Sequence, residues 1–73
     1  MIKLTEYRVK EIVYPNGIYK LGKSVEIYDE GSFYRIDGTH IFDKYKIMSL
    51  KLYGDKLTIH MKDMDVVLSV EKK

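Results

Sequence analysis

Few residues in this chain are of types suited to catalysis or metal binding, and they are spread along its length. The candidate groups include His40, His60, Ser24, Ser32 and Ser49, and the chain has no cysteine. A serine nucleophile needs a base within hydrogen-bond reach, and no glycine-flanked serine motif of the kind that exposes such a nucleophile is present. The acidic segment Asp63-Met64-Asp65 matches no calcium or zinc spacing. The sequence therefore predicts no catalytic residue, no metal site and no cofactor.

A second kind of chemistry is indicated by basic and aromatic residues in the last third of the chain. Lys51, Tyr53, Lys56, His60 and Lys62 share the outward positions of two adjacent predicted strands. Small β domains bind single-stranded nucleic acid on such a face, with lysines at phosphates and a ring stacked on a base. Two acidic residues dilute the face in the expected pairing, which sets Asp65 beside Lys62 and Glu71 beside Lys56. The alternative is an ordinary solvated face.

A third candidate is a pair of aromatic residues flanked by charges on an upstream hairpin. Tyr28 and Phe33 are predicted to face each other on the outer side, next to Glu26 and Arg35. Tyrosine and arginine are enriched at the energetic centres of protein interfaces. The sequence therefore predicts a protein contact here, either with a different protein or with a second copy of the chain. The alternative is that the pair packs under the N-terminal strand of a monomer.

Composition limits the class of protein. The 73 residues from Met1 predict one domain, 1–73, and a complete gene product, and 13 basic against 11 acidic residues give a net charge of +2. That charge is too small to create a strong overall field. No apolar run of 18 residues and no apolar leader occur, so we expect a cytoplasmic protein without a membrane contact. A chain this short, without cysteines, has limited stability, which favours self-association.

The clearest elements form a three-stranded antiparallel meander near the C-terminus. Segment 48–53 alternates apolar and polar residues, Gly54-Asp55 turns the chain, and segment 57–61 alternates back. The expected inward pairs are Leu52 with Leu57, Leu50 with Ile59, and Met48 with Met61. With Asp63-Met64 as the next loop, they continue as Met61 with Val66, Ile59 with Leu68, and Leu57 with Val70. Ile47 and Val67 then fall on the outer face, with Ile47 beside Lys62.

Two further hairpins are indicated upstream. Segments 24–29 and 32–37 flank Glu30-Gly31, which pairs Val25 with Ile36 and Ile27 with Tyr34 inside, and Glu26 with Arg35 outside. Tyr14-Pro15-Asn16-Gly17 predicts a type I turn followed by a left-handed glycine, with a strand from Ile18 to Leu21. Gly22 then predicts a bend or bulge.

Two segments remain open at this stage. Residues 4–13 fit a strand, which the β-branched and aromatic content favours, or a short helix. Residues 38–45 fit a loop or one helical turn, with Ile41 or Phe42 plugging an open end of the sheet. Together the elements predict an all-β fold of six to seven short strands, arranged as a small antiparallel barrel or a two-layer sandwich.

The functional expectation that follows is a non-enzymatic binding module. Seven tyrosines in so small a chain exceed what its core can hold with satisfied hydroxyl groups, which favours a recognition role. A protein partner or a homodimer is expected first, and single-stranded nucleic acid is the alternative. A regulatory or inhibitory protein, cellular or virus-encoded, fits this description.

Overall fold

The protein folds as one curled sheet of seven antiparallel strands. The structure is a computed structural model that describes residues 2–73. The strands are β1 (Tyr7–Tyr14), β2 (Gly17–Asp29), β3 (Phe33–Ile36), β4 (His40–Asp43), β5 (Ile47–Tyr53), β6 (Lys56–Met61) and β7 (Asp65–Lys72), and short 3-10 turns cover Leu4–Glu6 and Lys44–Lys46. Their order in the sheet is β4-β3-β2-β1-β7-β6-β5. The predicted all-β class, the strand number and the C-terminal meander are confirmed.

The sheet curls into a half-barrel around a continuous apolar core. In β6, Leu57, Ile59 and Met61 are buried while the residues between them point outward, as the period of two requires. The fully buried side chains are Phe42, Ile12, Ile36, Leu57, Ile59, Leu68, Val9 and Val66. Strands β4 and β5 are the two ends of the sheet, so each has an edge unpaired within residues 2–73. No helix of that described part is long and apolar enough to cross a membrane.

The β5–β6 hairpin keeps the predicted register except at its open end. Leu52 faces Leu57 and Leu50 faces Ile59, as expected. The predicted Met48–Met61 pair and the outward placement of Ile47 are wrong. A bulge between Ile47 and Ser49 puts Ile47 opposite Met61, where it packs against the core, and leaves Met48 63% exposed.

The bulge coincides with the entry of the chain into β5 from the 3-10 turn Lys44–Lys46. The Lys62 backbone N–H donates to the Lys46 carbonyl at 3.0 Å. This bond ties the end of the turn to the loop after β6. The extra residue then lets a β-branched isoleucine, in place of methionine, fill the inner position.

The β6–β7 register differs from the prediction by two residues. The loop is Lys62-Asp63, closed by the Met61 N–H donating to the Met64 carbonyl at 2.9 Å. Ile59 therefore faces Val66, and Leu57 faces Leu68. A shift of two leaves every side chain on its predicted face, because strand side chains alternate with period two.

The β2–β3 hairpin is shifted in the same way. Its loop is Gly31-Ser32, with Gly31 at φ +92° in the first position, and the Glu30 N–H donates to the Phe33 carbonyl at 2.9 Å. The aligned pairs are Ile27 with Ile36, Tyr28 with Arg35, and Asp29 with Tyr34. The predicted pairs of Tyr28 with Phe33, Glu26 with Arg35, Val25 with Ile36 and Ile27 with Tyr34 are wrong. Glycine takes the positive φ that the first residue of this loop requires, as Gly54 does in the later hairpin.

Strand β1 resolves the open choice for residues 4–13. Residues 7–14 are strand, and only Leu4–Glu6 form a 3-10 turn. A bulge at Lys10 lets Val9 and Ile12 both point into the core, although they are three residues apart. This bulge explains why the spacing of the apolar residues in the segment fits both a strand and a helix.

The two glycines of β2, Gly17 at its start and Gly22 within it, have different backbone conformations. Pro15-Asn16 is a two-residue loop between Tyr14 and Gly17. The predicted left-handed conformation of Gly17 is wrong, because the positive-φ glycines are Gly22, Gly31 and Gly54. The predicted bulge at Gly22 is confirmed at φ +79°, where β2 carries extra residues opposite Lys10.

Residues 38–45 contain a strand that was not predicted. His40–Asp43 form β4, and the 3-10 turn begins at Lys44. Of the two candidate plugs, Phe42 is buried in the core and Ile41 is 54% exposed. A four-residue edge strand has too little alternation to be recognised from the sequence.

Candidate functional site

On the outer face of β2 and β3, an arginine side chain packs over the ring of an exposed tyrosine. Tyr28 is 47% exposed, and the Arg35 guanidinium carbon lies 4.6 Å from the centre of its ring. The Arg35 Nε donates to Glu30 Oε2 at 2.8 Å, and Nη1 donates to the Asp37 carbonyl oxygen at 2.7 Å. These two hydrogen bonds hold the guanidinium over the ring, so both side chains keep a defined orientation in the free protein.

A groove of about 490 Å³ runs beside this ring. Its walls include Tyr28, Arg35, Glu26, Asp37 and Lys23, so both signs of charge border it. Three of the four predicted interface residues therefore come together, although the register that predicted them was wrong. The fourth, Phe33, is half-buried, faces Asp43 of β4 and does not line the groove.

Ion pairs with distant segments hold two carboxylates of β2. The Lys73 side chain hydrogen-bonds to Glu26, which borders the groove, and lowers the pKa of that carboxyl group. A hydrogen bond from Lys44 Nζ, at 2.7 Å, and a second from the Gly31 N–H lower the pKa of Asp29, which does not line the groove. Glu26 therefore carries a negative charge at the groove wall, where it is paired with Lys73.

A second groove, of about 530 Å³, lies on the same outer face beside the bulges in β1 and β2. Four lysines line it, and we call it the lysine cleft: Lys10, Lys20, Lys23 and Lys56. Lys23 also borders the Tyr28 groove, so the two grooves are neighbours. Of these four lysines, the sequence-based site contained only Lys56. The others are gathered by the strand order β2-β1-β7-β6, which no local spacing reveals.

The predicted nucleic-acid residues are only partly brought together. Lys51, Tyr53 and Lys56 keep their predicted outward register. His60 faces Asp65, and its Nδ1 is in close contact with that carboxylate. Lys62 lies in the loop after β6. The predicted neighbours Asp65 with Lys62 and Glu71 with Lys56 are wrong, because Ser69 stands opposite Lys56.

The residue types of a catalytic triad do align across three strands. Ser49 faces His60, and His60 faces Asp65. Within residues 2–73, however, no hydrogen bond joins the Ser49 hydroxyl to His60, so the serine is not linked to the base that would have to accept its proton. In the same described part, no group of three acidic or histidine side chains is arranged to hold a metal ion.

An aromatic cluster packs on the core at β1 and β4. The Tyr14 hydroxyl lies 2.8 Å from His40 Nδ1, and the Tyr14 ring stacks on Phe42 with ring centres 6.2 Å apart. Tyr19 meets both the Tyr14 and the His40 ring edge-on. Partial burial, together with neighbouring Tyr19, raises the pKa of Tyr14. The cluster thus keeps Tyr14 neutral and seals the core around Phe42.

Comparison with protein-family models, curated proteins and solved structures finds no match to this chain. Function must therefore be inferred from the chemistry of the two grooves.

Proposed function

We propose that this protein is a non-enzymatic binding module whose Tyr28 surface docks onto another protein. We define the Tyr28 surface as Tyr28, Arg35, Glu26 and the groove beside them. The observation that carries the proposal is the half-exposed Tyr28 ring under a guanidinium that Glu30 and Asp37 hold in place. Tyrosine and arginine supply much of the binding energy in protein interfaces, and side chains that are already ordered lose less entropy on binding.

The charges around the groove support a protein as the partner. Arg35 and Lys23 lie on its walls together with Glu26 and Asp37. A mixed pattern of this kind selects a partner with complementary charges and disfavours a uniformly charged polymer. As a single domain, the protein would act by covering a surface of its partner, which is the mode of a regulatory or inhibitory protein. A cytoplasmic location belongs to the same proposal, and a chain without cysteine is compatible with a reducing compartment.

Site-specific photo-crosslinking tests this proposal. A benzophenone amino acid replaces Tyr28 in the full chain expressed in its native cells, and the crosslinked species is identified by mass spectrometry. Tyr45, which is 71% exposed and lies in the 3-10 turn before β5, provides the matched control position. We expect one protein to be captured at position 28 and not at position 45.

The captured protein then allows an affinity measurement. Tyr28→Ala and Arg35→Ala should each weaken binding by about 30-fold or more, which corresponds to the ~2 kcal/mol that defines an interface hot spot. Lys51→Ala, on the outer face of β5, should leave the affinity unchanged. Equal crosslinking at positions 28 and 45, or unchanged affinity in both Tyr28→Ala and Arg35→Ala, would refute the proposal.

A further inference from the structure

The lysine cleft belongs to a straight row of outward residues that crosses five strands. Successive cross-strand pairs along this row are Tyr53 with Lys56, Lys56 with Ser69, Ser69 with Glu11, and Glu11 with Lys20. Lys10 and Lys23 adjoin the row at the two bulges. The bulges thus bring the ammonium groups of Lys10 and Lys23 to this face, which would carry fewer of them if the strands were regular.

Most of these ammonium groups are available for a ligand. Within residues 2–73, no carboxylate lies within ion-pair distance of Lys20, Lys23 or Lys56, and Lys56 Nζ donates to the Ser69 hydroxyl at 2.8 Å. Lys10 is the exception, because it lies 3.1 Å from Glu71. Glu71 and Glu11 together offset two of the four positive charges. The cleft therefore keeps a local positive excess in a protein of nearly balanced composition.

The span of the cleft requires a ligand with several negative charges. Lys56 on β6 and Lys20 on β2 are separated by three strand-to-strand steps, which amount to roughly 14 Å. A single phosphate or carboxylate cannot contact lysines so far apart. A flexible chain with regularly spaced anions can contact them one after another.

Tyr53, the aromatic residue at one end of the row, indicates which kind of polyanion binds there. Tyr53 directly follows Lys56 in the row and is 69% exposed, with its ring free to stack. Lysines beside an exposed ring bind phosphates and bases together, whereas an acidic peptide or an anionic lipid surface has no base to place on the ring. We propose that the lysine cleft, with Tyr53, binds single-stranded nucleic acid across the strands of the sheet. This activity goes beyond the protein-binding role of the Tyr28 surface.

Fluorescence anisotropy with a labelled, mixed-sequence single strand of about 12 nucleotides tests the site. Binding should weaken with salt, with a slope of log affinity against log salt of about −2 to −3 for three or four phosphate contacts. Lys20→Gln combined with Lys56→Gln should weaken binding about tenfold or more at low salt and flatten the slope by about 1.4. Tyr53→Ala should weaken it about fivefold or more through lost stacking.

A charge-matched control separates the cleft from general electrostatics. Lys3→Gln combined with Lys46→Gln removes the same charge from residues that do not line the cleft, and should change affinity by about twofold or less. The inference is overturned if the strand does not bind at low salt, if both double variants weaken binding equally, or if an oligo-glutamate of matched charge or anionic vesicles compete as well as unlabelled strand. Tyr28→Ala should bind the strand normally, so failure of this test and failure of the proposed function are distinguishable.

Discussion

At the scale of single residues, Ile59 and Lys51 occupy opposite faces of adjacent strands. Ile59 is fully buried on β6, while Lys51 is exposed on β5. Ile59→Ala should lower the free energy of unfolding by about 2–4 kcal/mol, because it removes buried methyl groups and leaves a cavity. Lys51→Ala should change it by less than about 0.5 kcal/mol. Urea unfolding followed by circular dichroism measures both values.

The position of Leu50 refines this expectation. Leu50 faces Ile59 but lies on the end strand β5 and is only half-buried, so its replacement by alanine should cost less than that of Ile59. Equal losses of stability from Lys51→Ala and Ile59→Ala would show that the two faces are assigned wrongly.

At the scale of elements, the faces of the hairpin residues could be predicted from the sequence except at the bulge of Ile47 and Met48, but several registers could not. Both the predicted Glu30-Gly31 loop and the observed Gly31-Ser32 loop keep Ile27 and Ile36 inward. Alternation alone therefore cannot choose between them. The choice depends on which loop position needs positive φ. At Gly54 the prediction had glycine in the first loop position, and the register around it was right.

The residues of the Tyr28 groove could be predicted better than those of the lysine cleft, because the first groove depends on a local hairpin and the second on pairing between distant parts of the chain. Tyr28 and Arg35 lie on neighbouring strands of one hairpin, so their proximity tolerates an error of two in the register. Lys20 and Lys56 are brought together by the pairing of β1 with β7, which joins the two ends of the chain. Long-range pairing of this kind has no local signal in the sequence.

Ion pairs between elements predict a loss of stability in acid. Hydrogen bonds to the carboxyl groups, chiefly from Lys73, Lys44 and Ser24, lower the pKa of Glu26, Asp29 and Glu71 respectively. A lowered folded-state pKa means that the unfolded chain binds protons first as the pH falls. The stabilisation is therefore complete above the ordinary carboxyl pKa of about 4, and it is lost as the pH falls through the lower folded-state values.

Urea unfolding at neutral pH and at stepwise lower pH measures this effect. Glu71→Gln, which keeps the size of the side chain but cannot ionise, should reduce the loss of stability between neutral pH and acid. A variant whose stability depends on pH as steeply as that of the wild type would show that the contacts of Glu71 with Ser24 and Lys10 do not contribute.

At the scale of the whole molecule, the half-barrel leaves an outer face and two strand edges, those of β4 and β5, on which a second copy could pair. The outer face offers the Tyr28 surface. The edge of β5 carries a single charge, Lys51, and exposes Met48 and Leu52. Unpaired edges of this kind are templates for strand addition. A sheet of this size buries a limited apolar area, so association through either surface would stabilise it.

We expect a two-fold homodimer through the Tyr28 surface when no other partner is present. A two-fold axis brings each patch onto its own copy, and the mixed charges of this surface allow Arg35 and Lys23 to face Glu26 and Asp37 of the second copy. The β5 edge offers only a narrow strip of backbone and apolar side chains by comparison. Tyr28→Ala should therefore give a monomer with little loss of stability, because its ring is half-exposed.

Light scattering at increasing protein concentration measures the mass, and Leu52→Lys supplies the matched control. A lysine on the β5 edge blocks strand addition there but leaves the Tyr28 surface intact, so this variant should remain dimeric. Phe33→Ala should lower stability more than Tyr28→Ala does, since Phe33 is the more buried of the two side chains. A monomeric wild type would contradict self-pairing. A dimer that Leu52→Lys disrupts and Tyr28→Ala preserves would instead assign the contact to the β5 edge and leave the Tyr28 surface for a different protein.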